Sequence, residues 1–454
     1  MRRLLIANRG EIAVRIIRAA RELGITTIQA VSAADRDMLA ARLADEVVGV
    51  GPAHAAKSYL NQAAMLRAAL TAKADAVHPG YGFLSENADF AEAVERAGIV
   101  FVGPRAETIR LMGNKARARE VASRAGVPIL PGAHGGYETT ASLAHEIGFP
   151  VMIKAAAGGG GRGIRVAADA DALERLLAEA RNEARAAFGD DTVYLERFLP
   201  RARHIEVQVL GDGDHAVHLF ERECSLQRRR QKLWEEAPAA CLTAESRANL
   251  CASAVRLAEM VGYCGAGTLE YLLDEATGEF FFIEMNTRIQ VEHPVTEMIT
   301  GIDLMRAMLC IADGGKLPFT QQDITLRGHS IQCRINAEDP VRGFQPAPGL
   351  VHGFAVPGGP GVRFDTMLYP GYTVPPFYDS LLGKLIVWDD TRDQALARLR
   401  GALGELAIDG IPTTIPLHRE LAEHPDIAQH NVHTGWLEAW LAQTPLTHTE
   451  TGRA

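Results

Sequence analysis

Along the first hundred residues, short apolar runs alternate with stretches in which apolar residues recur every three or four positions. Arg3 to Ala7 reads as a strand, Glu11 to Leu23 as a helix with Ile12, Ile16 and Ile17 on its inner face and Gly24 beyond its end, and Ile25 to Val31 as a second strand. Further strands are predicted at Glu46 to Val50, Asp75 to His78 and Ile99 to Gly103, with helices at Asn61 to Ala72 and Glu86 to Ala97. Strands that alternate with helices predict a parallel sheet covered on both faces, which is a doubly wound α/β domain. The turn after the first strand reads NRGE instead of GxGxxG, so a dinucleotide site is not expected there. The glycine-rich loop His78 to Phe83 follows a strand end, where open α/β sheets place ligands.

From Arg105 to Pro131 the pattern turns helical and ends in GVPILPG, a proline and glycine break that reads as a junction. Strand-like Phe149 to Ala155 then runs into Gly158 to Gly163, and a strand is expected from Ile164 to Ala167. Glycines between two strands can approach phosphates closely and offer them backbone N–H groups; a flexible linker is the alternative. Arg203 to Leu210 and His215 to Glu221 form a predicted hairpin, followed by the basic run SLQRRRQK. That run fits a solvated face or a nucleic-acid patch, and Lys232 within it suits an anion clamp. After the opposed strands around Glu270 and Phe280, a helix is expected over Val295 to Met308. A third unit follows from Gln321, with a strand carrying Gln332 and Arg334 on one face, a strand at Leu381 to Trp388 and a helix at Arg392 to Leu406.

The densest chemistry lies in Phe280 to Thr296, FFFIEMNTRIQVEHPVT. Beyond its aromatic start every second residue is polar: Glu284, Asn286, Arg288, Gln290 and Glu292. If extended, they line one face. An amphipathic strand with a wet outer face is the bland alternative. A hairpin folded about Thr277 sets Glu284 opposite Glu270, and like charges so placed are destabilising unless neutralised. A divalent cation held by Glu270, Glu284 and Asn286, Mg²⁺ or Mn²⁺, would do so. Glu292 beside Arg288 is expected to have its pKa depressed if they pair, or raised if burial dominates; a structural ion pair is the alternative role. His293-Pro294 reads as a helix entry.

Composition narrows the function. At 454 residues, 47% hydrophobic and 23% charged, the chain is an ordinary globular protein of about three domains. A net charge of −9 disfavours a general nucleic-acid or membrane-surface binder. Six cysteines without a CxxC pair fit reduced thiols and a cytoplasmic setting, and no apolar run is long enough for a signal peptide or a transmembrane helix.

Several stretches together resemble the biotin carboxylase family, the ATP-grasp component of biotin-dependent carboxylases: IANRGEIAxRIIR, HPGYGFLSEN, MGNK, GGGGRG, QKxxEEAP, EMNTRIQVEHPVTEMITG and CRINAEDP, spanning residue 3 to about 440. The resemblance implies a doubly wound N-terminal domain (1–113), an ATP-grasp domain (114–320, with a glycine-rich lid at about 132–200), a C-terminal mixed α/β domain (321–445) and a tail (446–454). It implies that ATP and bicarbonate form carboxyphosphate, and that the carboxyl group passes to a ureido nitrogen of biotin. Lys115 and Lys154 would hold ATP phosphates with His204 and Gln227 nearby, under Gly160, Gly161 and Gly163 of the lid; Glu196 to Leu199 would flank the adenine. Glu270, Glu284 and Asn286 would serve the metal. Lys232, Arg288, Gln290 and the Val291 backbone would grip bicarbonate, with Glu292 as general base, Arg334 stabilising the biotin enolate and Tyr81 bordering the biotin pocket.

Three positions depart from the family pattern: Ala157 where a fifth lid glycine is usual, Arg197 for a lysine beside the adenine and Arg230 for a histidine near the sugar. They bear on nucleotide affinity. With no biotinylation motif found and no length for a carboxyltransferase, a biotin carboxyl carrier protein and carboxyltransferase subunits are the expected partners, with a homodimer as the family's habit. Acetyl-CoA is the favoured final substrate, with a pyruvate, propionyl-CoA or urea-type carboxylase as alternatives. A different ATP-grasp carboxylate ligase, or a silent nucleotide-binding regulator, are the competing functions.

Overall fold

The structure is a computed structural model that describes residues 1–134, 143–155, 165–188, 192–444 and 446. Its N-terminal part is a five-stranded parallel sheet in the order β3-β2-β1-β4-β5, formed by β1 (Arg3–Ile6), β2 (Thr26–Ser32), β3 (Glu46–Gly51), β4 (Ala76–His78) and β5 (Val100–Phe101). Helix α1 (Gly10–Glu22) follows β1 and buries Ile12, Ile16 and Ile17, as their spacing predicts. The predicted strands and helices of this part fall within a residue or two of those observed; the short helix Leu39–Leu43 lies in a stretch with no predicted element.

A separate four-stranded sheet, β6-β9-β7-β8, follows: β6 (Gly132–His134), β7 (Val151–Ala155), β8 (Arg165–Ala167) and β9 (Val193–Arg197). The predicted phosphate loop with Ala157, Gly160, Gly161 and Gly163 lies outside the described residues, as does most of the tail. The 19-residue helix Ala170–Phe188 was not among the predicted elements.

An eight-stranded antiparallel sheet supports the rest. Its order begins β14-β13-β10-β11-β12-β15, from β10 (Ala202–Asp212), β11 (Ala216–Arg228), β12 (Gln231–Ala237), β13 (Cys264–Asp274), β14 (Phe280–Asn286) and β15 (His329–Asn336), and continues into the strands Leu381–Asp389 and Val362–Thr366. Along β10, Ile205, Val207 and Val209 enter a core with Leu269, Tyr271 and Phe282, while Glu206 and Gln208 occupy the other face. That polar face is itself buried, so its groups must pair with one another. None of the described helices is long and apolar enough to cross a membrane.

Two expectations are corrected. The extended segment ends at Asn286, and residues 287–292 curl through bends and turns before the helix His293–Thr300. The helix expected over Val295 to Met308 is two helices, His293–Thr300 and Leu304–Ala312. Gly301 at φ 72° stops the first, and Asp303 caps the second by accepting from the Arg306 N–H at 2.8 Å.

Candidate active site

The hairpin of β13 and β14 places Glu270 directly opposite Glu284, and Thr268 opposite Asn286. The register works by a different route from simple folding about Thr277. Next to the turn, Leu273 pairs with Phe280, Leu272 with Phe281 and Tyr271 with Phe282; a β-bulge then absorbs Ile283, so Glu284 meets Glu270. The bulge also switches faces. Phe280, Phe282 and Met285 pack into one core, while Glu284 and Asn286 emerge on the opposite side.

Lys232, on β12, is the centre of the polar cluster. Its Nζ donates to Glu270 Oε1 at 2.8 Å, to Glu292 Oε1 at 2.7 Å and to Glu206. Glu292, fully buried at the start of the helix His293–Thr300, receives a second cation from Arg334 Nη2 at 3.0 Å, and Arg334 Nε donates to Glu235 Oε1 at 2.5 Å. Gln332 Nε2 holds the other Glu235 oxygen at 2.9 Å, so the predicted common face of Gln332 and Arg334 converges on that carboxylate. Arg288 does not flank Glu292 as expected. The curl after Asn286 turns it to Glu86 Oε2 (2.8 Å), Asn286 Oδ1 (3.0 Å) and Gln290 Oε1 (3.0 Å). Gln290 Nε2 in turn donates to Glu270 Oε1 at 3.1 Å.

Fully buried Arg222 anchors the back of the cluster. It donates to Glu206 (2.6 Å), Gln208 (2.7 Å), Thr268 (3.1 Å) and Thr296 (2.9 Å), tying three strands to the helix that carries Glu292. The charges respond accordingly. Burial opposes ionisation of Glu206, but Lys232 and Arg222 outweigh it and hold that carboxyl well below the usual range. Burial would discharge Lys232, but Glu206, Glu270 and Glu292 raise its pKa well above the ordinary lysine value. The hairpin glutamates are pushed apart: Lys232 and His204 overcome burial and lower Glu270, while burial and then Glu270 raise Glu284.

That split tests the metal reading. Among the described cations, Lys115 Nζ stands 4.0 Å from Glu284 Oε2, and Asn286 Oδ1 and Glu270 Oε1 accept from Arg288, Lys232 and Gln290. Two facing carboxylates, one of them disfavoured as an anion, beside an amide oxygen are a donor set that fits a hard divalent cation. His204, Glu206 and Glu270 also bring one ligand atom each within 4.8 Å of one another.

The remaining predicted residues lie around this centre. In the four-stranded sheet Lys154 donates to Glu196, which also accepts from Arg119 Nη1 at 2.9 Å. Leu199 packs with Leu130, Ala202 and Phe281. Gln227 pairs with Lys232 across β11 and β12 and donates its amide to the Cys224 carbonyl at 2.8 Å. His204 Nε2 lies 3.4 Å from both Glu206 and Glu270. Arg197 Nη2 is 3.8 Å from Asp274, and Arg229 and Arg230 form the tip of the β11–β12 turn at φ 48° and 63°. In the basic run, Arg228 stacks on Phe344 at 3.9 Å. Tyr81 sits in a loop pinned by Asn8, whose Nδ2 donates to the carbonyls of Pro79 (2.6 Å) and Tyr81 (2.7 Å); Gly80, at φ 62°, leaves room for that amide, since a Cβ would lie 2.9 Å from it. Sequence reasoning did not assign roles to Glu86, Glu206, Arg222 or Glu235. The polar alternation of β10 was the available signal for Glu206.

Facing carboxylates beside a buried cluster of cations around one glutamate form a class of site suited to binding a divalent cation and stabilising a small anion. Comparisons with known proteins make this more particular. Family models match in chain order: Biotin carboxylase, N-terminal domain over residues 1–109, Carbamoyl-phosphate synthase L chain, ATP binding domain over 114–320, and Biotin carboxylase C-terminal domain over 332–439. A biotin carboxylase of Nostoc sp. is 53% identical over 440 residues, covering 96% of this chain and 98% of that protein. The biotin carboxylase–β,γ-ATP complex from Campylobacter jejuni superposes with a TM-score of 0.91 at 47% identity, covering 96% of this chain and 98% of that one. The biotin carboxylase domain dimer of Hydrogenobacter thermophilus 2-oxoglutarate carboxylase, solved with ADP, magnesium and bicarbonate, gives 0.90 at 47% identity, covering 96% and 97%. The chain belongs to the biotin carboxylase family, and it is an enzyme of the ATP-dependent ligase class.

Proposed function

We propose that this chain uses ATP and bicarbonate to carboxylate biotin carried on a separate protein, as the first half-reaction of an acyl-CoA carboxylase acting on acetyl-CoA. The observation that carries the reading is Glu292, fully buried and held between Lys232 Nζ at 2.7 Å and Arg334 Nη2 at 3.0 Å. In this reading bicarbonate enters beside Lys232, Arg288, Gln290 and Val291. Glu292 takes its proton, the oxygen attacks the γ-phosphorus, and the bond to ADP breaks as carboxyphosphate forms. The C–O bond of carboxyphosphate then breaks, the released phosphate takes the ureido proton while Arg334 stabilises the biotin enolate, and the ureido nitrogen bonds the freed carboxyl carbon. A Mg²⁺ or Mn²⁺ ion held by Glu270, Glu284 and Asn286 supplies charge neutralisation at the phosphates. Lys115, Lys154, His204 and Gln227 serve the nucleotide phosphates, with Gly160, Gly161 and Gly163 as the lid; Glu196 and Leu199 lie on the adenine side, and Tyr81 walls the biotin pocket.

The Hydrogenobacter relative, solved as a dimer with ADP, magnesium and bicarbonate, supports the same ligands and a homodimer for this chain. A biotin carboxyl carrier protein and carboxyltransferase subunits are the partners this reaction requires. Free cysteines at positions 224, 241, 251, 264, 310 and 333 support a reducing, cytoplasmic setting. The test is ADP release by purified protein with MgATP and bicarbonate, with and without free biotin. Biotin-stimulated turnover with carboxybiotin as product is expected; its absence would favour a different carboxylate ligase.

A further inference from the structure

The turn after β1, Asn8-Arg9-Gly10-Glu11, lacks the pattern of a dinucleotide site, yet its side chains are buried and paired. Asn8 pins the Tyr81 loop. Arg9 is bound by Asp35 through two bonds of 2.9 Å. Glu11, in the first turn of α1, reaches two groups far away in sequence: its Oε1 accepts from the Tyr81 hydroxyl and lies 3.0 Å from Lys384 Nζ. Lys384 is fully buried on the strand Leu381–Asp389, where it pairs across the ladder with Arg334. Its Nζ also donates to the carbonyl oxygen of Val291 at 3.0 Å.

We infer that Glu11 and Lys384 form a positioning pair that ties the Val291 carbonyl to the Tyr81 hydroxyl, setting the base-bearing backbone and the biotin wall through one buried contact. The inference rests on the bicarbonate and biotin roles proposed above. The peptide unit is planar, so fixing the Val291 oxygen fixes the plane that leads into Glu292. A buried ammonium is retained in such a place only with an anionic partner, which Glu11 supplies. Glu11 spends both contacts on the same oxygen, while its Oε2 is buried without a hydrogen-bond partner. Tyr81 and Lys384 are thereby linked through a shared atom, and a displacement of either is felt by the other. Four sequence-distant parts of the chain, at positions 11, 81, 291 and 384, meet in this contact.

The experiment measures KM for bicarbonate, free biotin and ATP, together with kcat and melting temperature, in wild type, Glu11→Gln, Lys384→Met, Lys384→Arg and the charge-free double variant Glu11→Gln/Lys384→Met. The double variant should raise the bicarbonate and biotin KM about 10-fold or more while ATP KM stays within about twofold, because the nucleotide contacts are untouched. Lys384→Arg, which keeps the cation, should recover part of the loss. Glu11→Gln keeps a polar group of the same shape and gives the same split should Lys384→Met fail to fold. A folded variant set with unchanged bicarbonate and biotin KM, or with all three KM values raised alike, would overturn the pair as a positioning device and leave it a fold staple. Absence of biotin-stimulated turnover in wild type would instead overturn the functional reading beneath it.

Discussion

At the scale of single residues, the groups proposed for the chemistry find their partners far away in the chain. Glu292, Lys232 and Arg334 are separated by 60 and 42 residues in the contacts they make. The acidic groups that hold the cations, Glu206, Glu235 and Glu86, looked in the sequence like ordinary charges on strands and loops. Replacing Glu292 by Gln preserves shape and removes the proposed base. It is expected to leave ATP binding near normal, measured by calorimetry, while lowering biotin-dependent turnover by about 10²- to 10⁴-fold, the usual contribution of a general base. A second prediction concerns His78, whose Nδ1 accepts from the Gly80 N–H at 3.0 Å at the base of the Tyr81 loop. Burial pushes its pKa from 6.5 down to about 3. The unfolded chain therefore binds the extra proton first. The stability from neutral His78 is complete above about pH 6.5 and is lost as pH falls toward 3, by about 1.4 kcal/mol per unit in that window. Denaturant titrations of wild type and His78→Gln should show a shallower acid slope in the variant.

At the scale of elements, the β14 bulge decides which side of the sheet the metal-binding candidates occupy. Period-2 reading from Phe280 would put Phe280, Phe282 and Glu284 on one face, burying a carboxylate in the aromatic core. The extra residue, Ile283, resets the phase. The Glu270–Glu284 pairing was legible from their even spacing, but the bulge was not, because nothing local marks Ile283 as the residue that will lack a partner. Deleting Ile283 should restore plain alternation and keep Glu284 opposite Glu270. Inserting an alanine after Ile283 also restores plain alternation but slides Glu284 from Glu270 to Thr268, and should reduce Mg²⁺-dependent turnover by 100-fold or more, about 2.7 kcal/mol. A Mg²⁺ titration of ADP release distinguishes the two variants; equal loss in both would refute the register argument.

Across the whole molecule, the eight-stranded sheet crosses from the nucleotide-binding part into the C-terminal part through the β12–β15 pairing. Arg392 reinforces the same seam, with Nε and Nη2 on the Glu236 carboxylate at 2.7 and 2.9 Å. A chain ending at residue 320 would leave β12 as an unpaired edge and Glu235 and Glu236 without their arginines, and it should aggregate or fail to fold. The full chain should show a cooperative main calorimetric transition spanning both parts; independent melting of the C-terminal part would contradict this.

What the sequence determined by itself was the local order: strand and helix alternation in the first hundred residues, the hairpins of the central sheet, the helix entry at His293-Pro294, and the residue types gathered in Phe280 to Thr296. These follow from periodicity and turn chemistry, which act over a few residues. Tertiary structure alone decided that Lys232 would sit among three glutamates, that Arg288 would turn to Glu86, and that Glu11 would meet Lys384. Those choices depend on which buried charges can find partners once water is excluded, and that is settled only when distant strands are brought together.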